Sequence, residues 1–582
     1  MKELLTNLRL AAGAAREHLS DDPALLALQV SRRLPSRLVR TLAKTVTKAA
    51  GPGSTRGSVL LAGLMAGENQ DVVRRLEAAL AHGTLPAEGS RVMADVALVA
   101  NRPDLADSFL RHSAGARRHR AAQARRFWYD GELSAAVGIL EGAASGAERR
   151  QGRRLAAELR LLEGWTPTLA AVPYEPRQRR VLHVLTNSLP HTASGYAQRS
   201  HSVLLAQRDA GWDTMAVTRV GYPVQVGKFA ARHRDVVDGI AYQRLLPSRL
   251  APTVDGRLQQ QAEALLEVAL DFRPAVLHTT THYVNALVTR AVAEALGIPW
   301  VYEVRGQLAD TWASTRGPEA KDSQRYRLFQ EREAEAMRSA DLVVTLGSAM
   351  KENIVSAGVP RQKVLVAPNA VGGDFLAEPQ PAAEARRQLG LDPEALHIGT
   401  VSSLVAYEGL DDLVAAFALL APLHPRLTLL IVGDGVALPA LREHVHAAGL
   451  EHRAVFTGRV PRHQAYLYHQ ALDVFVVPRK DLSVARDVTP LKPVEAMACA
   501  RPVVASRLPA LAEIVEDGVT GFLAPPEDPG GLAARITELL GSKELRDRFG
   551  ESGRKAVLET RTWQANARAL ASAYANLMEA LR

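Results

Sequence analysis

The chain has 582 residues, a formal net charge of +9 and one cysteine. A chain of this length is too long to fold around one hydrophobic core, so we expect about three to four structural units. The single cysteine, Cys499, excludes an intrachain disulfide and a cysteine-based metal site, and its apolar neighbours indicate a small buried residue. The basic residues lack interleaved aromatics, which make up only 5% of the chain, so nucleic acid is not expected as a partner.

The sequence shows neither a secretory signal nor a membrane span. The first five residues carry mixed charges, and no uninterrupted apolar segment follows them. A run of about 18 apolar residues does not occur. Because no disulfide can form either, we expect a cytoplasmic protein, and peripheral binding at the inner face of a membrane stays open.

Residues 1–170 are predicted to form an all-α domain that carries most of the excess charge. By count they hold roughly 25 basic and 17 acidic residues. The segment 34–48 places leucines on one side of a helix and basic residues on the other. Such a helix packs against a core or a subunit, or lies on a membrane interface. The charge indicates either an anionic partner, membrane or polymer, or a solvated basic face.

Three turn-like strings in this region recur at roughly 28–35 residues, at 66–69, 100–103 and 129–132. This spacing is similar to that of tetratricopeptide-like helical hairpins, which stack and usually serve as docking surfaces for proteins. A plain helical cap is the alternative. Residues 146–179 are polar and rich in arginine, and they are predicted to be a linker.

From residue 181 onward, short apolar strands alternate with amphipathic helices. This alternation predicts an α/β fold with two tandem Rossmann-like, doubly wound domains, at 180–375 and 376–560. A last helix closes the chain at 561–582. Ligands of such sheets bind outside the carboxyl ends of the strands, so we expect a cleft between the two domains.

The segment 487–495 contains the residues best suited to bind a nucleotide sugar. An apolar strand leads into a basic loop, and a helix is predicted to start near Pro493. Loop amides ahead of that helix can meet an anion, and Lys492 can add a full positive charge. Glu495 lies in the first turn, where its carboxylate binds a diol or simply caps its own helix. The residues alone leave both interpretations open.

The string of Asp487, seven residues and Glu495-Ala-Met-Ala, followed by residues 501–506, resembles the donor-site signature of family 4 glycosyltransferases. These are retaining enzymes with the two-Rossmann GT-B fold. Further similar strings follow the family order, at 194–196, 302–306, 368–371, 432–435, 456–460 and 514–523. The strings at 407–411 and 488–493 are similar to a bacterial subgroup linked to surface-polysaccharide loci.

The resemblance implies an acceptor side at 180–375, a nucleotide-sugar side at 376–560, and a final helix that returns to the first domain. Glu495 would bind the donor ribose, and Asp487 would face the transferred sugar. Amides of Thr489, Pro490 and Leu491 would hold sugar and diphosphate. The other expected donor-binding residues are Ser194, Gly195, Arg459, Val460, Arg479, Lys480 and Lys492. The other expected catalytic or acceptor-contacting residues are His278, His282, Glu303 and Arg305.

The sequence departs from the family pattern at several positions. Ser403 and Glu408 stand where an Arg and a Lys usually neutralise the diphosphate, and Thr280 stands where a His is often found. A glutamate facing a diphosphate would be repulsive, and a leaving diphosphate needs stabilisation. Either Glu408 turns away, or positive charge comes from elsewhere; the candidates are Arg479, Lys480, Arg486 and Lys492.

The predicted function is that of a retaining glycosyltransferase of the hexosyltransferase type. It would use a UDP- or GDP-sugar as substrate and a glycan or lipid-linked acceptor, in building a bacterial surface glycan. No Asp-x-Asp occurs in the strand-end setting of metal-dependent transferases, so we expect no metal and no cofactor. A catalytically degenerate scaffold and a two-Rossmann epimerase are the alternatives.

Overall fold

The computed structural model describes residues 2–21, seven positions between 39 and 48, and residues 56–82, 85–314 and 316–580. Most of the predicted amphipathic helix at 34–48 lies outside these residues. The described N-terminal helices are α1 (Lys2–Asp21), α2 (Gly57–Ala66), α3 (Asn69–Ala81), α4 (Ala87–Val99), α5 (Pro103–His112), α6 (His119–Asp130), α7 (Leu133–Gly138) and α8 (Gly146–Leu162).

Turns separate α2 from α3, α4 from α5, and α6 from α7, at the positions of the three turn-like strings. Helices α2 to α5 share one apolar core that includes Leu76 and Phe109. Helix α8 corrects the prediction of a linker from residue 146. Leu155, Leu159 and Leu162 recur at the spacing of one helix face and are buried, which the arginine-rich composition concealed. A docking role for this region stays a prediction.

The helical region packs directly on the first Rossmann-like domain. Leu133 and Leu159 belong to the same apolar core as the sheet of that domain. The loop between α6 and α7 also lies against it, because the amide of Arg325 donates to the carbonyl of Gly131. Gly131 has a φ of 88°, and a Cβ there would lie 2.7 Å from Ser323 Oγ, so this contact requires glycine.

The first Rossmann-like domain is built on an eight-stranded sheet with the order β3-β4-β2-β1-β5-β6-β7-β8, parallel except for the β3–β4 pair. Its strands are β1 (Arg180–Leu185), β2 (Asp213–Thr218), β3 (Arg234–Val237), β4 (Ile240–Arg244), β5 (Val276–Thr280), β6 (Trp300–Val304), β7 (Leu342–Thr345) and β8 (Val364–Val366). Its helices are α9 (Gly195–Asp209), α10 (Val254–Phe272), α11 (Tyr283–Leu296), α12 (Leu308–Ala313), α13 (Gln324–Ser339) and α14 (Ser348–Ser356).

The second domain has a six-stranded parallel sheet with the order β11-β10-β9-β12-β13-β14. Its strands are β9 (Leu396–Val401), β10 (Leu427–Val432), β11 (Ala454–Gly458), β12 (Val474–Val477), β13 (Val503–Ser506) and β14 (Gly521–Ala524). Its helices are α15 (Ala382–Leu389), α16 (Leu410–Leu420), α17 (Leu438–Ala447), α18 (Arg462–Ala471), α19 (Ser483–Asp487), α20 (Lys492–Ala498), α21 (Pro509–Ala512), α22 (Pro529–Gly541) and α23 (Lys543–Thr560). The predicted fold class is confirmed.

The chain returns to the first domain through a last helix, α24 (Trp563–Ala580). Leu570 and Tyr574 of this helix are buried against Val203 and Trp212. The returning segment runs beside the outgoing one, because Val371 and Thr562 form a parallel bridge. The two domains are therefore joined at one place by two adjacent chain segments.

Candidate active site

Two loops meet where the strand order of the second sheet reverses. The chain passes from β9 to β10 and β11 on one side, and continues with β12 on the other side of β9. The loops that follow β9 and β12, at 402–409 and 478–491, therefore border one crevice at the carboxyl ends of the strands. Glycine lets the loop after β10 approach the loop after β9, because a Cβ at Gly433 would lie 1.8 Å from the carbonyl oxygen of Ser402.

Glu408 does not point an unpaired charge into this crevice. Its carboxylate accepts two hydrogen bonds from Arg479, at 3.0 Å and 3.2 Å, and both side chains are buried. Burial by itself raises the pKa of Glu408, but the charges of Arg479 and Lys492 outweigh it and hold that pKa below its usual range. Arg479 also donates to the carbonyl of Val488 at 2.9 Å. The predicted repulsion is thus neutralised within the protein.

This pairing changes the expected source of positive charge for a diphosphate. The prediction assigned Arg479 and Lys480 to donor binding, but Lys480 lies 2.9 Å and 2.8 Å from carboxylate oxygens of Asp411 and Asp412. Arg486 is likewise paired, with Asp481. Of the four cations considered for the diphosphate, Lys492 is the one that makes no hydrogen bond or ion pair in the part of the chain that the structure describes, although its charge helps to lower the pKa of Glu408.

Glu495 lies in the first turn of α20 and is partly exposed. Its Oε2 lies 3.6 Å from Nε2 of His469, which is fully buried, and neither ring nitrogen of His469 has a hydrogen-bond partner.

The amides of Thr489 and Leu491, just before this helix, make no hydrogen bond among the described residues. Pro490 has no N–H, so the prediction that its backbone amide donates a hydrogen bond to the sugar or the diphosphate is wrong. Arg459 and Val460 follow β11, with Arg459 exposed.

The loop 487–491 also lies against the first domain. Asn369 Nδ2 donates to the carbonyl of Thr489 at 2.8 Å, and the hydroxyl of Thr489 donates to the carbonyl of Leu346. Asp487, at the end of α19, is half-buried, and burial raises its pKa although Asn353 bonds to it. The predicted donor loop therefore lies between the two domains.

Across the crevice, the first domain presents the start of α9. Ser194 caps this helix by accepting a hydrogen bond from the amide of Ala197 at 3.3 Å. Both Ser194 and Gly195 are exposed, and a Cβ at Gly195 would meet no protein atom within 4 Å. The space in front of Gly195 is open to a ligand.

Glu303, Arg305 and His278 were expected to line the cleft, but the structure buries all three. Glu303 Oε1 lies 2.8 Å from Nε of Arg199, and its Oε2 accepts from Arg305 at 2.5 Å. Burial alone raises the pKa of Glu303, but the two arginines hold it well below its usual range. His278 Nε2 is 3.7 Å from the same carboxylate, and burial lowers the pKa of His278. Arg199 is a member of this group that no sequence pattern indicated.

His282, which was also expected at the site, and Thr280, which replaces the usual histidine, are both packed into the protein. The ring of His282 caps α11 by accepting from the amide of Val284 and stacks on Phe329 at 5.6 Å. Burial lowers the pKa of His282 to about 4, so the imidazole is neutral at pH 7. Thr280 is buried, and its carbonyl accepts from Asn285.

Two family models match the chain. Residues 188–370 match the glycosyl transferase 4-like domain, and residues 382–556 match the glycosyl transferases group 1 domain. Together these matches cover more than half of the chain. The chain belongs to the GT4-type glycosyltransferase family.

Relatives with curated names align over part of this glycosyltransferase-family chain. It is 30% identical over 244 residues to the GDP-mannose-dependent alpha-(1-6)-phosphatidylinositol monomannoside mannosyltransferase of Mycolicibacterium smegmatis, covering 41% of this chain and 64% of the relative. It is 32% identical over 254 residues to the D-inositol 3-phosphate glycosyltransferase of Geodermatophilus obscurus, covering 42% and 54%. The chain thus spans less than two thirds of the length of these relatives.

Solved structures share the fold at lower identity. The sucrose-phosphate synthase of Thermosynechococcus elongatus has a TM-score of 0.56 at 22% identity, over 69% of this chain and 100% of that one. HepE of Anabaena, in complex with UDP, has a TM-score of 0.55 at 18% identity, over 68% and 100%. Among the described helices of this glycosyltransferase-family chain, none has both the length and the apolar character required to cross a bilayer.

Proposed function

We propose that the chain is a retaining glycosyltransferase that takes a sugar from a nucleotide-diphosphate donor held by the second domain. The observation that carries this proposal is the position of Lys492 and Glu495 at the strand-order reversal of the second sheet. Lys492 has no ion-pair partner among the residues that the structure describes, and Glu495 keeps its carboxylate partly exposed one helical turn away. These two groups suit a phosphate and a ribose diol.

In the proposed reaction, negative charge grows on the diphosphate as the bond to the sugar breaks. Lys492 and the free amides of Thr489 and Leu491 would stabilise that charge, and they are in place before the reaction. The acceptor hydroxyl would attack from the same face, with a donor phosphate oxygen taking its proton, so no protein nucleophile is required. The chemistry is proposed to need neither a metal nor a cofactor.

The relatives guide the choice of substrates to test. Because one relative is named as GDP-mannose-dependent and one structural neighbour holds UDP, the donor is proposed to be a GDP- or UDP-sugar. The acceptor is proposed to be a glycan or a lipid-linked hydroxyl compound. A catalytically degenerate scaffold is the second candidate, favoured by Ser403 and Thr280, but the Glu408–Arg479 pair weakens its main argument.

Calorimetry separates these two candidates. The full chain is titrated with GDP-mannose, UDP-glucose and UDP-N-acetylglucosamine, and Glu495→Ala is compared with Glu551→Ala, an exposed site on α23. A transferase binds at least one donor, and Glu495→Ala weakens that binding while Glu551→Ala does not. If none of these donors binds the wild-type chain, the scaffold is the better description. If Glu495→Ala binds as well as the wild type, the assignment of the ribose site is wrong.

An apolar and basic surface favours an acceptor at a membrane. Helix α1 is held in place by Asn7, whose amide nitrogen donates to the carbonyls of Phe229 and Ala231. On the solvent-facing side of this helix, three leucine side chains are 45 to 54% exposed. Exposed basic and apolar side chains together bind anionic bilayers. The exposed residues of this surface are Leu4, Leu5, Leu8, Lys228, Phe229, Arg232 and Arg234.

A further inference from the structure

A second cavity lies between the domains, on the face of the first sheet opposite the Glu303 group. It has a volume of about 810 Å³. Tyr302 and Met337 of the first domain and Asp487 of the second domain are among the residues that line it. Because side chains alternate along a strand, Tyr302 faces this cavity while Glu303 faces the opposite side of the sheet.

Tyr302 presents an unused hydrogen-bonding group to the cavity. Only 1% of Tyr302 is exposed, and its hydroxyl makes no hydrogen bond among the described residues. The hydroxyl oxygen keeps some accessible surface, so a molecule in the cavity can reach it. A buried phenol without a partner costs stability unless a ligand or water satisfies it. This group indicates that the cavity binds a polar molecule.

The charges around the cavity restrict which molecule fits. The cavity is lined by more carboxyl groups than guanidinium groups: Asp310, Glu331, Glu333 and Asp487 against Arg327 and Arg338. Arg338, at the rim, is already paired with Glu331. The walls therefore carry excess negative charge, which repels phosphates and favours hydroxyl or ammonium groups. Burial raises the pKa of Glu333 to about 7, so this carboxyl both donates and accepts hydrogen bonds near neutral pH.

The cavity begins directly beside the proposed reaction cleft. Gly306 borders it, and a Cβ at Gly306 would lie 3.5 Å from the hydroxyl of Tyr196 and 3.8 Å from Val488. Tyr196 belongs to the start of α9, next to the open space at Gly195, and Val488 belongs to the proposed donor loop. We infer that this cavity is the binding site for an uncharged or amino sugar of the acceptor, with Tyr302, Asp310 and Asp487 contacting its hydroxyl groups. This inference rests on the proposed function.

The test measures binding of small probes to the full chain by saturation-transfer NMR and calorimetry. The probes are methyl α-D-mannopyranoside, D-glucosamine and D-mannose 6-phosphate. The variants are Tyr302→Phe and Asp310→Asn, and Tyr174→Phe is the matched control, because its hydroxyl donates to the carbonyl of Pro274 outside the cavity. Binding of GDP- and UDP-sugars is measured on the same samples.

The neutral and amino sugars are expected to bind, and the phosphorylated sugar at least tenfold more weakly. Tyr302→Phe should weaken sugar binding about fivefold, as for one lost hydrogen bond, and should leave donor affinity unchanged. Equal binding by Tyr302→Phe and the wild type, equal binding of the phosphorylated sugar, or no binding of any probe would each overturn the inference. Failure of donor binding instead counts against the proposed function, whatever the probes show.

Discussion

The source of the charge that holds the diphosphate can be tested with paired substitutions. Lys492→Met removes the cation that has no ion-pair partner in the described ranges of the chain. A hydrogen bond to a charged group contributes about 1.5–3 kcal/mol, so donor Kd should rise about 10- to 150-fold. The double variant Glu408→Leu with Arg479→Met removes two opposite charges that already neutralise each other. It should change Kd less than fivefold, because the net charge beside the diphosphate is unchanged.

The single variant Glu408→Leu completes the comparison. It leaves the buried guanidinium of Arg479 without its carboxylate, which should destabilise the fold by about 3–5 kcal/mol. The same change adds net positive charge to the crevice and should tighten donor binding. All variants are measured by calorimetry at fixed ionic strength with a nucleotide sugar that binds the wild type. Wild-type affinity in Lys492→Met, together with loss of binding in the double variant, would refute this account.

Three further predictions address the first domain and the helical region. Glu303→Gln should lower stability to urea by about 3–5 kcal/mol, because Arg199 and Arg305 lose their buried counter-charge; Glu352→Gln, at an exposed pair, should have little effect. Burial raises the pKa of Glu333 from 4.5 to about 7, so the folded state holds a proton that the unfolded state releases. Stability should therefore fall by on the order of 3 kcal/mol as pH rises from 4.5 to about 7. Glu333→Gln should flatten that part of the Tm–pH profile, and an unchanged slope contradicts the assignment. Leu8→Ser should reduce co-sedimentation with liposomes containing anionic lipid, and equal sedimentation would exclude α1 from membrane contact.

The two sheets could be predicted because buried parallel strands are continuous apolar runs, as in Val474–Val477. The β3–β4 hairpin was not predicted. Its outer strand, Arg234–Val237, lies at the edge of the sheet, and none of its four residues is fully buried. Such a strand lacks the apolar signal of a central one. The same limit applied to α8, whose leucines were hidden among arginines.

The site was predicted less completely, because strand position does not determine what a side chain meets. Glu303 stands at a strand end, as expected, but Arg199 contacts it from 104 residues earlier in the chain. Glu408 pairs with Arg479 across 71 residues. Neither pair follows from local spacing, since both depend on how distant loops pack. The segment around Glu495 could be proposed from the sequence because all its parts are adjacent along the chain.

The double crossing between the domains at Val371 and Thr562 limits how the cleft can open. Both chain segments must bend together. The second domain therefore rotates about this paired connection rather than twisting on a single flexible linker. Helices α7 and α8 share a core with the first domain, and α1 packs on that domain through Leu10, so these helices stay with it during such a swing. In the proposed function, a membrane or partner bound to α1 would hold the first domain still, and the second domain would move to load and release the nucleotide.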